Sequence, residues 1–414
     1  MSPQVPDEMA IDRRQLVMTI AHAVDLVGVD DVLHGRRVGM LARELALQLG
    51  CAPATCIMLY DAGLLHDCGV SSTRHHRRLV VDLEWAGAQE HCQRGDALLR
   101  EFRPLAHLAP IIRAHHTRWD AMAGAGVPAE IALLANLIYL ADRIDVLAAP
   151  FHPDHSLLEH VQEIRQRLAA ERGRMFAPEL IDAFLVRSAG EAFWLALDPE
   201  WVGQYQGDME ARGEVVTIGW CEFRQCAEIL ARIIDAKSPY TERHSRGVAS
   251  LARHIAGRMG FSPVACEKIE VAGLLHDIGK LQIPDEIIEG TAALNEHEFD
   301  LMKSHSYATL QVLHRLDAIR EIALWAAHHH ETPDGHGYPF RLGGGNLSLE
   351  ARIINVADIF QALAQDRPYR GGRAPDAILA ILQDRAAGGR ADAGVVAVIA
   401  ADLDHCYRAA LAVA

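Results

Sequence analysis

Aromatic residues make up only 6% of the 414-residue chain, which disfavours a protein built from aromatic, β-branched strands. No uncharged apolar run reaches the roughly 18 residues that a membrane span needs. No run of lysine and arginine stands out against a formal charge of −15. Duplex nucleic acid is therefore not an expected partner, because phosphate contacts dominate that affinity. A small anionic ligand stays open, since bound metal ions reverse the local field. The eight cysteines form no paired CxxC framework, so reduced cytosolic thiols are expected. Met1 to Ala10 carries acids and prolines instead of a charged-then-apolar signal, and the expected location is the cytoplasm, with no membrane association.

Half of the residues are hydrophobic, with alanine and leucine dominating many windows, so an all-α fold is expected. The length suits two domains of about 200 residues each. A repeat supports that division: Ala-Gly-Leu-Leu-His-Asp occurs at 62–67 and again at 272–277. His34, His66, Asp67, His91, His115, His116 and Asp142 map in order onto His244, His276, Asp277, His305, His329, His330 and Asp358. The offset grows from 210 to 214 to 216, as small loop insertions would produce. Metal-competent side chains recurring in register indicate a tandem duplication of a metal-site domain.

The first copy is expected over residues 11–197, a linker that can carry a short packing segment over 198–219, and the second copy over 220–414. Arg36 to Gly50 and Arg246 to Gly260 each read as a helix closing on glycine. Asn295 followed by Glu298 has the form of a capping box opening a helix that carries Met302, Lys303 and His305. Asp334 to Pro339 holds turn-forming residues, so a structured loop should follow His329 and His330.

Histidine and aspartate donors together suit iron, manganese, zinc or similar divalent ions. A His-Asp pair on one helix points its side chains about 100° apart, so donors from other helices must complete each shell. His244, His305, His329, His330 and Asp358 are available, and Asp277 can bridge two ions. Ions about 3.5–4 Å apart would hold a hydroxide for in-line attack on phosphorus, which makes phosphodiester hydrolysis the expected reaction. Lys280, one helical turn after His276, could pair with a phosphoryl oxygen. Any one of these histidines alone would be read as a core or surface side chain; it is the set that points to metal.

Lys237-Ser238-Pro239-Tyr240-Thr241, His276-Asp277-Ile278-Gly279-Lys280, Met302-Lys303-Ser304-His305, His329-His330-Glu331, Gly337-Tyr338-Pro339, Val356-Ala357-Asp358 and Asp366-Arg367-Pro368-Tyr369-Arg370 together resemble the HD-GYP family from about residue 225 onward. The resemblance implies tandem HD-type helical bundles. It also implies a phosphodiesterase that opens cyclic di-GMP or cyclic GMP-AMP with two divalent ions, iron or manganese. One ion would take His244, His276, Asp277 and Asp358, the other Asp277, His305, His329 and His330. Lys280, Arg367 and Arg370 match positions that face substrate phosphates or bases. The Gly-Tyr-Pro loop would either shape the site wall or touch substrate. Gln361 stands where the family usually has aspartate, Ala364-Gln365 replaces a Thr-Ser pair, and 289–293 lacks the usual Lys-Pro-Gly. Tyr240 occupies the place where some members have a glutamate supporting a third ion, so two ions are expected.

The first copy keeps every ligand position as a second candidate metal site, but Val70 answers Lys280, Thr117 answers Glu331, and Ala123-Gly124-Ala125 answers the Gly-Tyr-Pro loop. Asp30 adds a carboxylate four residues before His34, read as a solvated or capping acid. A regulatory or dimerising domain is the expected role. A second hydrolase and a scaffold remain alternatives, as does, for the whole chain, a non-catalytic cyclic-dinucleotide-binding signalling adaptor. A homodimer or a signalling partner protein is left open.

Overall fold

The computed structural model of the chain describes residues 9–27, 33–70, 72, 87–211, 215–237, 241–290, 292–366 and 371–411. They form two compact units, Asp12–Val215 and Val216–Ala414, the latter with the N-terminal residues through Ile11. The first contains α1 (Arg13–Val27), α2 (His34–Gln48), α3 (Pro53–Leu65), α4 (Ala88–Leu99), α5 (Ala109–Ala114), α6 (Ala129–Ala148), α7 (Leu157–Ala169), α8 (Pro178–Arg187), α9 (Glu191–Leu195) and α10 (Pro199–Glu210). The second contains α11 (Trp220–Lys237), α12 (Thr241–Arg258), α13 (Pro263–Leu275), α14 (Asp285–Ile288), α15 (Glu296–Leu313), α16 (Arg320–Ala327), α17 (Leu349–Ala364), α18 (Pro375–Ala387), α19 (Ala393–Ala401) and α20 (Leu403–Leu411). Strands β1 (Met9–Asp12) and β2 (Val215–Ile218) pair as a two-stranded sheet, so the fold is helical as expected. Among the described residues, no helix is long and apolar enough to cross a membrane.

Local chemistry explains where helices begin and end. Pro53 and Pro263 open α3 and α13 at a position whose N–H has no helical partner, and the Ser262 hydroxyl accepts the Ala265 N–H at 3.2 Å. The expected capping box is present: Asn295 Oδ1 accepts from the Glu298 N–H, and Glu298 Oε2 accepts from the Asn295 N–H, both at 2.9 Å. Gly50 and Gly260 stop the paired helices α2 and α12 with φ of 72° and 85°.

Each core is mainly aliphatic, with a few buried aromatic rings such as Trp194 and Phe360. Leu41, Leu65, Ile138 and Ile144 are buried in the first unit, and Leu251, Ile269, Leu275 and Ile354 in the second. Each such side chain contributes about 1.5–3 kcal/mol on burial. Within the segment read as a linker, Asp198 caps α10, and Val202 and Met209 bury themselves. Arg43 Nη1 donates to the Tyr205 hydroxyl at 2.6 Å, and that hydroxyl donates to Glu44 Oε1 at 3.1 Å, which fastens α10 to α2.

Candidate metal centres

Corresponding elements carry the ligand-type side chains in both units. In the second, His244 lies in α12, His276 and Asp277 directly follow α13, His305 lies in α15, His329 and His330 follow α16, and Asp358 lies in α17. One expectation needs correction. The helix does not run through the His-Asp pair, because α13 ends at Leu275 and Ile278–Gln282 forms a 3-10 turn. Lys280 therefore does not lie along the helical face of His276; its Nζ turns back to Asp277 Oδ2 at 2.6 Å. The turn comes close to the neighbouring helix. A Cβ on Gly279 would stand 1.9 Å from the His305 carbonyl oxygen, and one on Gly69 would stand 2.0 Å from that of His91. This approach needs a residue without a side chain, and it sets the third histidine beside the aspartate in each unit.

Asp277 lies between two donor groups. Its Oδ2 is 3.3 Å from His276 Nε2 and 3.5 Å from His244 Nε2, whereas Oδ1 is 3.5 Å from His305 Nε2 and 3.7 Å from His329 Nε2. Asp358 Oδ1 is 3.2 Å from His244 Nε2. The donor atoms of His305, His329 and His330 lie within 4.8 Å of one another, as do those of His244, His276 and Asp358. Backbone carbonyls orient the rings: Nδ1 of His276, His305 and His329 donates to Gly273, Met302 and Ala326 at 2.7, 2.5 and 2.7 Å, turning Nε2 inward. The fourth ring, His244, donates Nδ1–H to Gln361 Oε1 at 2.6 Å.

Burial pushes His305 down to about 3 and His330 to about 4, and holds His329 well below its usual range, so these three are neutral donors at pH 7. Burial opposes ionisation of Asp277, but His276 and Lys280 hold its carboxyl well below the usual carboxylate range. His244 goes the other way, raised to about 9 against burial by its bonds to Asp277 and Asp358. Buried atoms without a hydrogen-bond partner test whether this set fits a cation. They include His276 Nε2 and Asp277 Oδ1 in the second unit, and His66 Nε2, Asp67 Oδ2 and Asp142 Oδ1 in the first. Each costs about 1–3 kcal/mol unless something satisfies it. Lone pairs of imidazole and carboxylate converging in a dry interior fit divalent ions.

Residues that sequence reasoning left without a role brace the site. Thr309 Oγ1 accepts the Gly279 N–H at 3.1 Å and donates to the His276 carbonyl at 3.0 Å. Asn355 Nδ2 donates to the His329 carbonyl at 2.8 Å. Buried Glu331 accepts the N–H groups of Phe340 and Leu342 at 2.6 and 2.9 Å, folding the Gly-Tyr-Pro loop back on the ligand segment. The Tyr338 ring then lies 4.7 Å from the His330 ring as a wall of the site.

The first unit repeats the arrangement. Asp67 Oδ1 is 3.3 Å from His91 Nε2, Asp67 Oδ2 is 3.5 Å from His66 Nε2, and Asp142 is 3.5 Å from His34 Nε2 and 3.7 Å from His116 Nε2. His115 Nε2 is 3.2 Å from His91 Nε2. Arg367, Arg370, Asp30 and Tyr240 lie outside the described residues.

An HD domain is matched over residues 32–147 and another over 228–395. The chain is 35% identical over 413 residues to 3'3'-cGAMP-specific phosphodiesterase 1 of Vibrio cholerae, covering 98% of this chain and 95% of that one. It is 38% identical over 161 residues to the cyclic di-GMP phosphodiesterase response regulator RpfG of Xanthomonas campestris, covering 38% of this chain and 43% of the relative. The crystal structure of a cyclic GMP-AMP specific phosphodiesterase of V. cholerae, V-cGAP3, superposes with a TM-score of 0.66 at 25% identity, covering 96% of this chain and 98% of that one.

Proposed function

The chain belongs to the HD-GYP family as a tandem HD protein, and from that premise we propose that its second unit is a metal-dependent phosphodiesterase that hydrolyses cyclic dinucleotides. The observation that carries the proposal is Asp277, a buried carboxylate whose two oxygens face different groups of histidines. His244, His276, Asp277 and Asp358 would hold one ion, and Asp277, His305, His329 and His330 the other, iron or manganese in each case. When bound, such ions supply Lewis acidity toward the phosphodiester and lower the pKa of water to near 7.

The chain's own residues do the rest. Asp277 stays ionised and fixes the spacing of the two donor groups. Lys280 is partly exposed, and its ammonium can leave Asp277 to pair with a non-bridging phosphoryl oxygen as negative charge builds up. Tyr338 limits water on the His330 side, and Arg367 and Arg370 would contact phosphates or bases. The favoured substrate is 3'3'-cGAMP: the relative of that specificity matches 98% of this chain, whereas the cyclic di-GMP phosphodiesterase RpfG matches 38%. The first unit is regulatory, since Val70 stands where Lys280 would be needed. Free cysteines, most of them buried, suit a cytoplasmic location.

The test is turnover of 3'3'-cGAMP and cyclic di-GMP by manganese- or iron-loaded protein, wild type against His276→Ala. Linearisation by wild type and its loss in the variant are expected. Binding of either dinucleotide without turnover at any metal loading would instead make the chain an adaptor.

A further inference from the structure

The outer face of α15 continues the wall of the second centre, and we propose that Phe299, Asp300 and Lys303 on it bind a guanine base of the cyclic dinucleotide. The proposal rests on reading the second unit as the phosphodiesterase, and it gives that unit a base subsite. One helix serves both parts. His305 turns inward from it to the other histidines, while Phe299 lies six residues earlier, about 9 Å along the axis. The rings run outward in order: His330 to Tyr338 at 4.7 Å between centroids, then Tyr338 to Phe299 at 6.2 Å. A nucleotide held by its phosphate at the donor cluster would meet Phe299 with its base, one ribose away.

A single exposed ring needs no explanation. Phe299, 44% exposed, is different because of what stands beside it. Lys303 Nζ is 4.6 Å from its ring centroid and donates to Asp300 Oδ1 at 2.7 Å. Ring, ammonium and carboxylate thus lie side by side at the edge of the site. That is the complement of guanine, which offers a flat π surface, accepting O6 and N7 atoms, and donating N1–H and N2–H groups. The carboxylate would accept both N–H groups, and the ammonium, on its flexible four-carbon stem, would swing from above the ring to O6. Adenine donates from N6 and carries no proton on N1, so the carboxylate would find one partner in place of two. The ion pair itself is exposed, with Lys303 at 33% and Asp300 at 64%, so exchanging it for contacts with a base costs little. The first copy lacks the set: at the offset of 214, Ala86 and Gln89 stand where the second has Asp300 and Lys303.

Manganese-loaded full-length protein is compared as wild type, Phe299→Ala, Phe299→Trp, Asp300→Asn and Lys303→Met. Turnover of 3'3'-cGAMP and cyclic di-GMP is measured, with dissociation constants for both and for cyclic di-AMP as the probe without guanine. Phe299→Ala should raise KM and the dissociation constant for the two guanine-containing dinucleotides by about tenfold, the usual effect of losing one stacking partner, with a smaller change in kcat. Phe299→Trp should restore both constants. Asp300→Asn and Lys303→Met should each lower the preference for cyclic di-GMP over cyclic di-AMP, read as the ratio of their dissociation constants, by about tenfold. Wild-type constants in Phe299→Ala would overturn the proposal, as would an Asp300→Asn protein that loses affinity for cyclic di-GMP and cyclic di-AMP equally. A wild type that binds 3'3'-cGAMP without turnover would end the hydrolase reading, and tenfold weaker binding by Phe299→Ala would still uphold the base subsite.

Discussion

Lys280 turns back on Asp277, its Nζ 2.6 Å from Oδ2 of the carboxylate that separates the two histidine groups. Between them in the chain, Gly279 lies so close to the His305 carbonyl that a side chain there would clash, which brings lysine, aspartate and third histidine together. The ammonium compensates the carboxylate without being a metal donor, and partial exposure leaves it reachable by a phosphate.

Lys280→Ala is accordingly expected to lower kcat by about 100- to 1,000-fold, the usual effect of removing one preorganised donor to a transition-state oxygen. Metal per chain should not change. Loss of ions from a folded Lys280→Ala protein would mean that the lysine holds the centre together and does not serve the phosphate.

Glu331 is the support of the Gly-Tyr-Pro loop. Glu331→Ala would leave the part-buried Phe340 and Leu342 N–H groups without their carboxylate, at a cost of about 1 kcal/mol each. A lower thermal midpoint and faster amide exchange confined to residues 337–342 are expected, together with reduced turnover. Unchanged exchange across that loop would show that the loop is held by other contacts.

Much of the candidate site was legible because each candidate ligand sits at a helix end or on one helical face, and the repeated hexapeptide with its stepped offsets marked those positions twice. The 3-10 turn was not legible. The apolar periodicity of Ala272-Gly273-Leu274-Leu275 continues smoothly into Ile278, and nothing in it marks the close approach of Gly279 to the His305 carbonyl. Helix α10 carried a signal that was passed over, since Asp198 before Pro199 is a capping residue ahead of a first-turn proline.

Lys237 donates its ammonium to the Leu281 carbonyl and so pins the turn that carries Lys280. Burial pushes this lysine down to about 8, with Asp285 opposing. An unfolded lysine keeps its proton to about 10.4, so between these values the unfolded chain binds more protons, and this group's contribution to stability rises with pH. Denaturant titrations at pH 7.5 and 10 should therefore show wild type gaining on Lys237→Met as pH increases. A difference between the two proteins that does not vary with pH would contradict the assignment.

The most direct test of the account is the rate of 3'3'-cGAMP hydrolysis by manganese-loaded Asp277→Ala, set beside His66→Ala with Asp67→Ala in one chain. Hydrolysis is expected to vanish in the first protein while helicity is retained, and to be altered but present in the second, which should also carry less metal. Near-normal turnover by Asp277→Ala, or activity lost from the first-unit variant and kept by Asp277→Ala, would contradict it.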